Sequence, residues 1–550
     1  MTDENQHSPA PDEQTTPVVP PAKKPGIIKN SIIFSGLTLI SRFMGLARDV
    51  VINAQLGAST GPWADAYNTA LSFPNLFRRI FAEGAFSSAF VPAYSRTLAG
   101  EGPERADDMA SDALATLAAM TLLLVILAQL AMPWLMYLIN FGYRDDPLKW
   151  KITIILTQIT MPYLSCMAIA ALFSGALNAR NRFILSGAAP IVLNAVMLIA
   201  VLPAKSSEQA AYAASIGVVI AGVLQAALLW WGCWNSGGRI RPRLPRLTPE
   251  IKRLIKQAIP AAIAASVTQI NIFVSGSLVS LAPGDGPRTW LANADRLYQL
   301  PLGMVGVAIG IALLPRLSQA LQAGDRQDAQ DTTDQAVVFA LAMTLPAAAA
   351  LLAMPYFMID ALFTRGAFTT FDARMTAQAL FHYGWGVPAF VLARVMNPIF
   401  FAREDTRSPM RFALISVGVN IVLGAILFFT IGFAGIAIAT SAASWINVGQ
   451  MYWALKSRGE WELAPASVSR LLRVLAAAAV LTALLGVAAF FRPQIQGVFE
   501  SIALIRLGAK ELAVLAVCIA IIPIYPVLVV LTGGMTVAEI KGLLRRRRAA

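Results

Sequence analysis

The sequence predicts an all-α polytopic membrane protein of about fourteen transmembrane helices, set out as two six-helix halves with two helices appended. Three observations carry this. Hydrophobic residues are 57% of the 550 and charged residues 14%, with a mean hydropathy of +0.61. A soluble globular chain carries roughly 25% charged residues to keep its surface wet. Apolar runs of about 20 residues, each long enough to cross a ~30 Å hydrocarbon layer as helix, recur along the whole length. A long basic segment divides those runs into six before it and eight after it.

The chain opens on a polar stretch rich in proline (Pro9, Pro11, Pro17, Pro20, Pro21), too poor in apolar groups to fold. Residues 1–26 are expected to form a disordered cytoplasmic tail. With no apolar run ahead of a small-residue cleavage site, the first hydrophobic helix directs insertion. An N-lobe, 27–236, takes spans near 31–56, 63–94, 109–139, 150–177, 184–203 and 209–233. Pro74 interrupts the second, and Pro162 and Pro190 interrupt the fourth and fifth. A basic cytoplasmic linker follows at 237–252, in a run that holds Arg239, Arg241, Arg243, Arg246, Lys252, Arg253 and Lys256. The C-lobe, 253–460, takes spans near 256–282, 289–315, 335–363, 373–402, 409–432 and 433–455. Two more, near 470–491 and 511–533, occupy 461–536, and a basic cytoplasmic tail closes the chain at 537–550.

An even count places both termini on one side. Most of the 44 Lys and Arg fall in segments on that side, which the positive-inside rule makes cytoplasmic. The net charge of +13 follows from that asymmetry, and the basic loops read as anchors on anionic lipid heads rather than as a nucleic-acid surface. Cys166, Cys233 and Cys518 are odd in number and far apart, which argues against a disulfide framework or metal site. His382 is alone in an apolar run and reads as a hydrogen-bonded, bundle-facing side chain rather than a protonation switch.

The two halves echo each other weakly. Asn178-Ala179-Arg180-Asn181-Arg182, a helix and Asn194 are answered by Ala402-Arg403-Glu404-Asp405-Thr406-Arg407, a helix and Asn420.

Charges inside the spans point to function. Arg42, Arg48, Arg78, Arg79, Arg296 and Arg394 lie within them or at their edges, each at a cost of roughly 2.5–3.5 kcal/mol at a helix centre. The acids in the segments of the first five are Asp49, Asp65, Glu83 and Asp295, fewer than the bases. Arg42 and Asp49, seven apart, share a helix face about two turns apart, and Gly45 weakens the helix between the arginines. Beyond Pro74, Asn75, Arg78 and Arg79 crowd one face, with Glu83 placed to pair Arg79. The eighth span offers Asn293, Asp295, Arg296 and Gln299 before Pro301. A guanidinium donates two parallel hydrogen bonds to phosphate and stays charged when desolvated. The cluster therefore suits an anionic ligand, with structural ion pairing as the competing reading.

Enzyme motifs are missing. There is no phosphate-binding glycine loop, no Cys/His cluster and no Ser/His/Asp grouping. Asp325, Asp328, Asp331 and Asp334 recur every three residues and read as a solvated helix face rather than a metal–diphosphate site.

Ser41-Arg42-Phe43-Met44-Gly45-Leu46-Ala47-Arg48-Asp49, Ala64-Asp65-Ala66-Tyr67 and Phe73-Pro74-Asn75-Leu76-Phe77-Arg78-Arg79-Ile80-Phe81-Ala82-Glu83-Gly84-Ala85-Phe86-Ser87 closely resemble the MurJ (MviN) lipid II flippases. So do Asn178 with Asn181-Arg182-Phe183, Ala294-Asp295-Arg296-Leu297, and Ala402-Arg403-Glu404-Asp405-Thr406 before Ser408-Pro409. The resemblance covers residues 27–460. It implies a member of the multidrug/oligosaccharidyl-lipid/polysaccharide exporter superfamily, with two lobes around a central cationic cavity and a lipid-tail groove at the last two helices. It implies transport of undecaprenyl-diphosphate-linked lipid II to the periplasmic leaflet of the inner membrane, by alternating access, for peptidoglycan synthesis. The family's cavity arginines carry over onto Arg42, Arg48, Arg78 and Arg296, with Asp65 as acidic partner and Asn75 and Ser41 as polar positions. Gln299 stands where some members have glutamate, and the seventh span lacks the carboxylate of a sodium-binding relative.

No enzyme activity and no cofactor are expected. The driving force, whether Na+, H+ or membrane potential, is left open. Expected partners are lipid II, membrane lipids and cell-wall synthesis proteins. Two rivals remain at this level: an exporter of another polyprenyl-linked glycan or amphiphile with the same fold, and a membrane scaffold for cell-wall synthases.

Overall fold

The computed structural model describes residues 26–79, 86–500, 508–537 and 539. Both predicted tails lie largely outside them, as does Glu83, the expected partner of Arg79. Every regular element among the described residues is helical.

The first lobe contains α1 (Gly26–Leu56), α2 (Trp63–Phe77), α3 (Ser87–Gly100), α4 (Pro103–Ile139), α5 (Pro147–Thr160), α6 (Tyr163–Ala179), α7 (Phe183–Val201) and α8 (Ser207–Asn235). The second contains α9 (Pro249–Val279), α10 (Pro287–Gln322), α11 (Arg326–Ala353), α12 (Pro355–Phe363), α13 (Thr370–Gly384), α14 (Val387–Phe401), α15 (Arg407–Ile431) and α16 (Ala434–Ser457). The appended part is α17 (Pro465–Phe490), α18 (Arg492–Glu500), α19 (Ala509–Ile521) and α20 (Ile524–Leu531). Each of the predicted spans coincides with one helix or a broken pair. Eight are long and apolar enough to cross a bilayer on length and composition alone, and α13 with α14, bent by 41°, makes a ninth.

Prolines act differently from one site to the next. Pro162 separates α5 from α6 as expected. Pro190 sits inside an unbroken α7, and α10 runs through Pro301. Helix α2 also continues past Pro74 to Phe77 and ends in a wider π-type turn at Arg78 and Arg79. A missing N–H is tolerated in a packed bundle where neighbouring helices re-satisfy the carbonyl it leaves.

The internal echo is structural. Asn181 and Glu404 have φ of 59° and 61°, the positive values among described non-glycine residues. In the first lobe Asp107 accepts from Arg180 Nη2 (2.7 Å), Tyr94 Oη (2.8 Å) and the N–H of Arg239 in the linker (2.7 Å). In the second, Asp334 accepts from Trp461 Nε1 (2.8 Å) and the N–H of Ala464 (3.1 Å), holding the chain that follows α16. Each lobe thus ties down its exit segment with one buried carboxylate. Asp334 is therefore no part of a solvated face, whereas exposed Asp331 accepts from exposed Gln327.

Helix α9 serves both lobes. Ile251 and Leu254 near its start pack into the core around Phe90, Leu172 and Phe173 of the first lobe. Farther along, Asn271 accepts a hydrogen bond from Asn420 of α15 (2.8 Å). The lobe boundary drawn at residue 253 thus falls inside a helix whose first turns belong to the preceding half.

The appended helices dock on α11 and α12 through an apolar seam that includes Phe357, Leu481, Leu485 and Val529. Fully buried Asp360 accepts from Lys510 Nζ (3.1 Å) and Arg492, while Arg365 pairs with Glu511 (2.8 Å). The three cysteines are free. His382 is half-buried with its ring edge-on to Phe381 (5.3 Å between centroids). The described residues give that ring no hydrogen bond, so the expected partner is not seen.

Candidate functional site: an arginine-lined cavity between the lobes

Helices α1 and α10 run antiparallel along the seam between lobes, and their meeting points keep one register. Arg42 lies against Gly303, Asp49 pairs with Arg296, and Asn53 exchanges hydrogen bonds with Asn293. Arg42 and Asp49 are seven residues apart, as are Arg296 and Gly303, so the same faces meet two turns apart. A methyl group on Gly303 would overlap Arg42 Nη1. Only glycine leaves room for the guanidinium in this position.

Arg48 is buried, and each nitrogen of its guanidinium has a partner. Nε (3.0 Å) and Nη2 (2.8 Å) donate to Asp49 Oδ1, and Nη1 donates to Asn194 Oδ1 of α7 (2.9 Å). Asp49 Oδ2 receives Arg296 Nη1 from the other lobe at 2.9 Å. One carboxylate is thus shared by two guanidinium groups, leaving an excess positive charge at mid-depth.

Beside this cluster a cavity of about 790 Å³ is lined by Arg48, Arg78, Arg79, Arg288 and Arg296 and, among the described residues, by one carboxylate, Asp295. Asn75 lines it too and accepts from Arg78 Nε at 3.2 Å. Gln299, at the position that departs from the family, also lines it and donates to Asp295. Tyr163, Tyr298 and Tyr383 form aromatic wall. Low-dielectric walls strengthen the field of such charges. A multivalent anion is the complementary occupant.

Of the residues marked in the sequence, Arg48, Arg78, Arg296 and Asn75 come together on the cavity wall. Arg42 stands farther along the seam against Gly303, within electrostatic reach of exposed Arg394 of α14. Ser41 contributes its carbonyl, which accepts from Asn194 Nδ2 (2.9 Å), and its side chain is not on the cavity wall. Asp65 is elsewhere altogether. The acid beside the arginines is Asp49, the direct sequence neighbour of Arg48, and that adjacency is the signal by which the sequence marks it. Arg288 escapes sequence reasoning because it sits in a loop-like Pro-Gly-Asp-Gly-Pro context at the very start of α10.

Asp65 belongs to a clamp at the end of the molecule away from the linker. Its carboxylate accepts from Lys149 Nζ (3.1 Å), the N–H groups of Gly286 and Thr289 (both 3.0 Å) and Thr289 Oγ1 (2.7 Å). Gly286 and Thr289 open α10, so an N-lobe carboxylate caps a C-lobe helix, where the N-terminal dipole favours negative charge. Lys149 also reaches Asp285 (2.9 Å). The N–H of Ala367 donates to Ala54 O (2.7 Å), that of Ser59 to Asp372 (3.0 Å), and Asn68 to Thr289 (3.1 Å). These bonds, together with Asp49–Arg296 and Asn53–Asn293, tie the lobes from mid-depth to this end. The lobes are shut there.

A sequence profile described as "Lipid II flippase MurJ" matches residues 52–506. The chain belongs to the MurJ lipid II flippase family. A probable lipid II flippase MurJ of Rhizobium meliloti is 42% identical over 467 residues, 84% of this chain and 86% of that protein. The lipid II flippase MurJ of Burkholderia cenocepacia is 30% identical over 457 residues, 82% of this chain and 88% of its own. A solved lipid II flippase MurJ in an inward closed conformation superposes with TM-score 0.70 at 27% identity, covering 84% of this chain and 100% of that one. A multidrug resistance MATE transporter of the MOP superfamily shares the fold at TM-score 0.64 and 12% identity, over 78% of this chain and 98% of its own. The fold expected from the resemblance is thereby met.

Proposed function

We propose that this protein moves lipid II, the undecaprenyl-diphosphate-linked peptidoglycan precursor, from the cytoplasmic to the periplasmic leaflet of the inner membrane by alternating access. The observation that carries the proposal is the cavity wall: among the described residues, five arginines from both lobes face one carboxylate. A diphosphate stripped of water needs that many donors, since an uncompensated charge in the bilayer costs several kcal/mol or more.

The linker end is cytoplasmic on this reading, because its Lys and Arg obey the positive-inside bias, and the Asp65 clamp is periplasmic. Headgroup phosphates enter from the linker end and compete with Asp49 for Arg296. That exchange removes a bond between lobes at mid-depth and lets them rock about the seam. Opening then requires the Asp65–Lys149–Thr289 clamp to part. The tail stays in lipid, with the groove beside α17–α20 as its path. The protein is a transporter rather than a catalyst.

A multidrug exporter of the same fold is disfavoured by sign, since arginines repel cations. A scaffold would tolerate loss of the cavity arginines. The testing experiment is reconstitution with labelled lipid II and, separately, undecaprenyl phosphate, following leaflet transfer under imposed sodium gradients and potentials. Transfer of lipid II over undecaprenyl phosphate is expected. Equal transfer of both, or none above empty vesicles, contradicts the proposal.

A further inference from the structure

Arg288 is a cavity arginine whose hydrogen-bond partners among the described residues are all neutral. It lies in the first turn of α10, eight residues before Arg296 and so about 12 Å nearer the clamped end along the same helix. Its Nη2 donates to Ser72 Oγ (2.9 Å), and its Nη1 donates to Asn140 Oδ1 (3.1 Å) and Gly276 O (3.3 Å). Among the described residues no carboxylate lies within ion-pairing distance of it, although Asp49 serves Arg48 and Arg296, and Asp65 and Asp285 serve Lys149 a turn or less away. The guanidinium lies flat against Gly276, where a methyl group would come within 3.0 Å of Nη1. It is therefore a seated cation on the cavity wall with no counter-charge among the described residues.

A membrane protein that needed only a bond at this point would not require a full charge. Ser72 and Asn140 are satisfied by any neutral donor, and each charged side chain at such depth carries an insertion cost. Two of the three acceptors, Ser72 and Asn140, belong to the first lobe, while Arg288 belongs to the second. Separation of the lobes at the clamped end breaks those two bonds and frees at least two donors of a fork that fits a phosphate.

We propose that Arg288 is the exit-side anion contact of the transport path, taking the diphosphate from Arg48, Arg78 and Arg296 when the clamped end opens. The inference rests on the flippase reading above. In the shut state Arg288 spends its donors on Ser72 and Asn140; in the open state it spends them on phosphate. The path thus contains two anion stations, one at mid-depth shared between lobes and one near the exit on α10.

The test uses full-length protein in proteoliposomes and a water-soluble short-chain lipid II analogue as competitor, added from either side of the membrane while transfer of labelled lipid II is followed. With Arg288→Gln, the half-inhibitory concentration of analogue on the exit side is expected to rise about tenfold, the scale of a hydrogen bond to a charged group. From the entry side it should stay within about twofold, since the mid-depth arginines are intact. Arg288→Lys, which keeps the charge and loses the fork, should fall between wild type and Gln from the exit side, and it carries the test if Gln does not accumulate in the membrane. A latch without an anion role predicts the opposite sign. Weakening it would populate the exit-open state and lower the half-inhibitory concentration on that side, and this outcome, or no change, overturns the proposal. Absence of transfer by the wild type would instead strike the flippase reading itself.

Discussion

Arg296 Nη1 stands 2.9 Å from Asp49 Oδ2, and this ion pair joins the two lobes at the depth of the cavity. Asp49 also holds Arg48 through its other oxygen. On the proposed mechanism the substrate replaces this pair, and its strength should appear as coupling. In a double-mutant cycle of Asp49→Asn and Arg296→Gln, read by thermal unfolding in detergent, about 1 kcal/mol of interaction energy is expected, within the usual range for residues in contact. The value sits low in that range because the Arg296 side chain is 40% exposed. Additive effects would mean that the two lobes do not communicate through this contact.

Gly303 should be functionally sensitive without being structurally critical. A methyl group there meets the far end of the Arg42 side chain, which can swing aside at little cost. Gly303→Ala is expected to change unfolding free energy by no more than about 0.5 kcal/mol while reducing lipid II transfer severalfold, by displacing the Arg42 guanidinium. Transfer at the wild-type rate would show that the position of Arg42 against α10 is immaterial.

The spacing of Arg42 and Asp49 is legible in the sequence alone, and so is the consequence that one helix face carries both. What that face meets is not. Gly303 and Arg296 repeat the same seven-residue interval on α10, but antiparallel pairing across lobes depends on tertiary geometry that no local pattern encodes. The spans themselves are readable because apolar length is imposed by the bilayer. Chain breaks are less so: Pro162 ends a helix and Pro190 does not, since neighbouring helices decide whether a lost N–H matters. Asp65 illustrates the same limit. Its motif marks it as functional, yet its partners are the start of α10 and Lys149, contacts between segments far apart in sequence.

Asp65 should govern which side of the cavity is shut. Asp65→Asn leaves Lys149 with Asp285 as its carboxylate and the Gly284 carbonyl and weakens the cap on α10, so the clamped end should open more often. With Ser275→Cys on the cavity wall in a background lacking the three native cysteines, labelling by an impermeant thiol reagent from the periplasmic side is expected to speed up severalfold. Unchanged or slower labelling would place the closing bonds elsewhere.

Asp405, in the loop before α15, accepts from the N–H groups of Arg407 (3.1 Å) and Ser408 (2.9 Å) and from Arg458 Nη1 (2.8 Å). Ser408, and then Arg458, hold its carboxyl well below the usual carboxylate range. A depressed folded-state value means that the stabilisation is complete above the unfolded value, about 4, and is lost as pH falls through the lower folded one. Asp405→Asn should therefore lower Tm at pH 7, with the gap to wild type narrowing only under acid conditions well below about pH 4. A gap that closes between pH 6 and 7 would assign the effect to another group.

Binding of the lipid II diphosphate by the cavity arginines is measured as leaflet transfer in Arg48→Ala, Arg78→Ala and Arg296→Ala, beside membrane abundance. Arg78 and Arg296 both line the cavity, and Arg296 shares Asp49 with Arg48, so their alanine variants should insert at normal levels and transfer essentially no lipid II. Their lysine variants should recover only part of the rate, because an ammonium lacks the bidentate fork. Arg48→Ala also unpairs Asp49 on one side, so some loss of abundance is expected there, relieved by adding Asp49→Asn. Wild-type transfer at normal abundance in the Arg78 and Arg296 alanine variants would contradict the account.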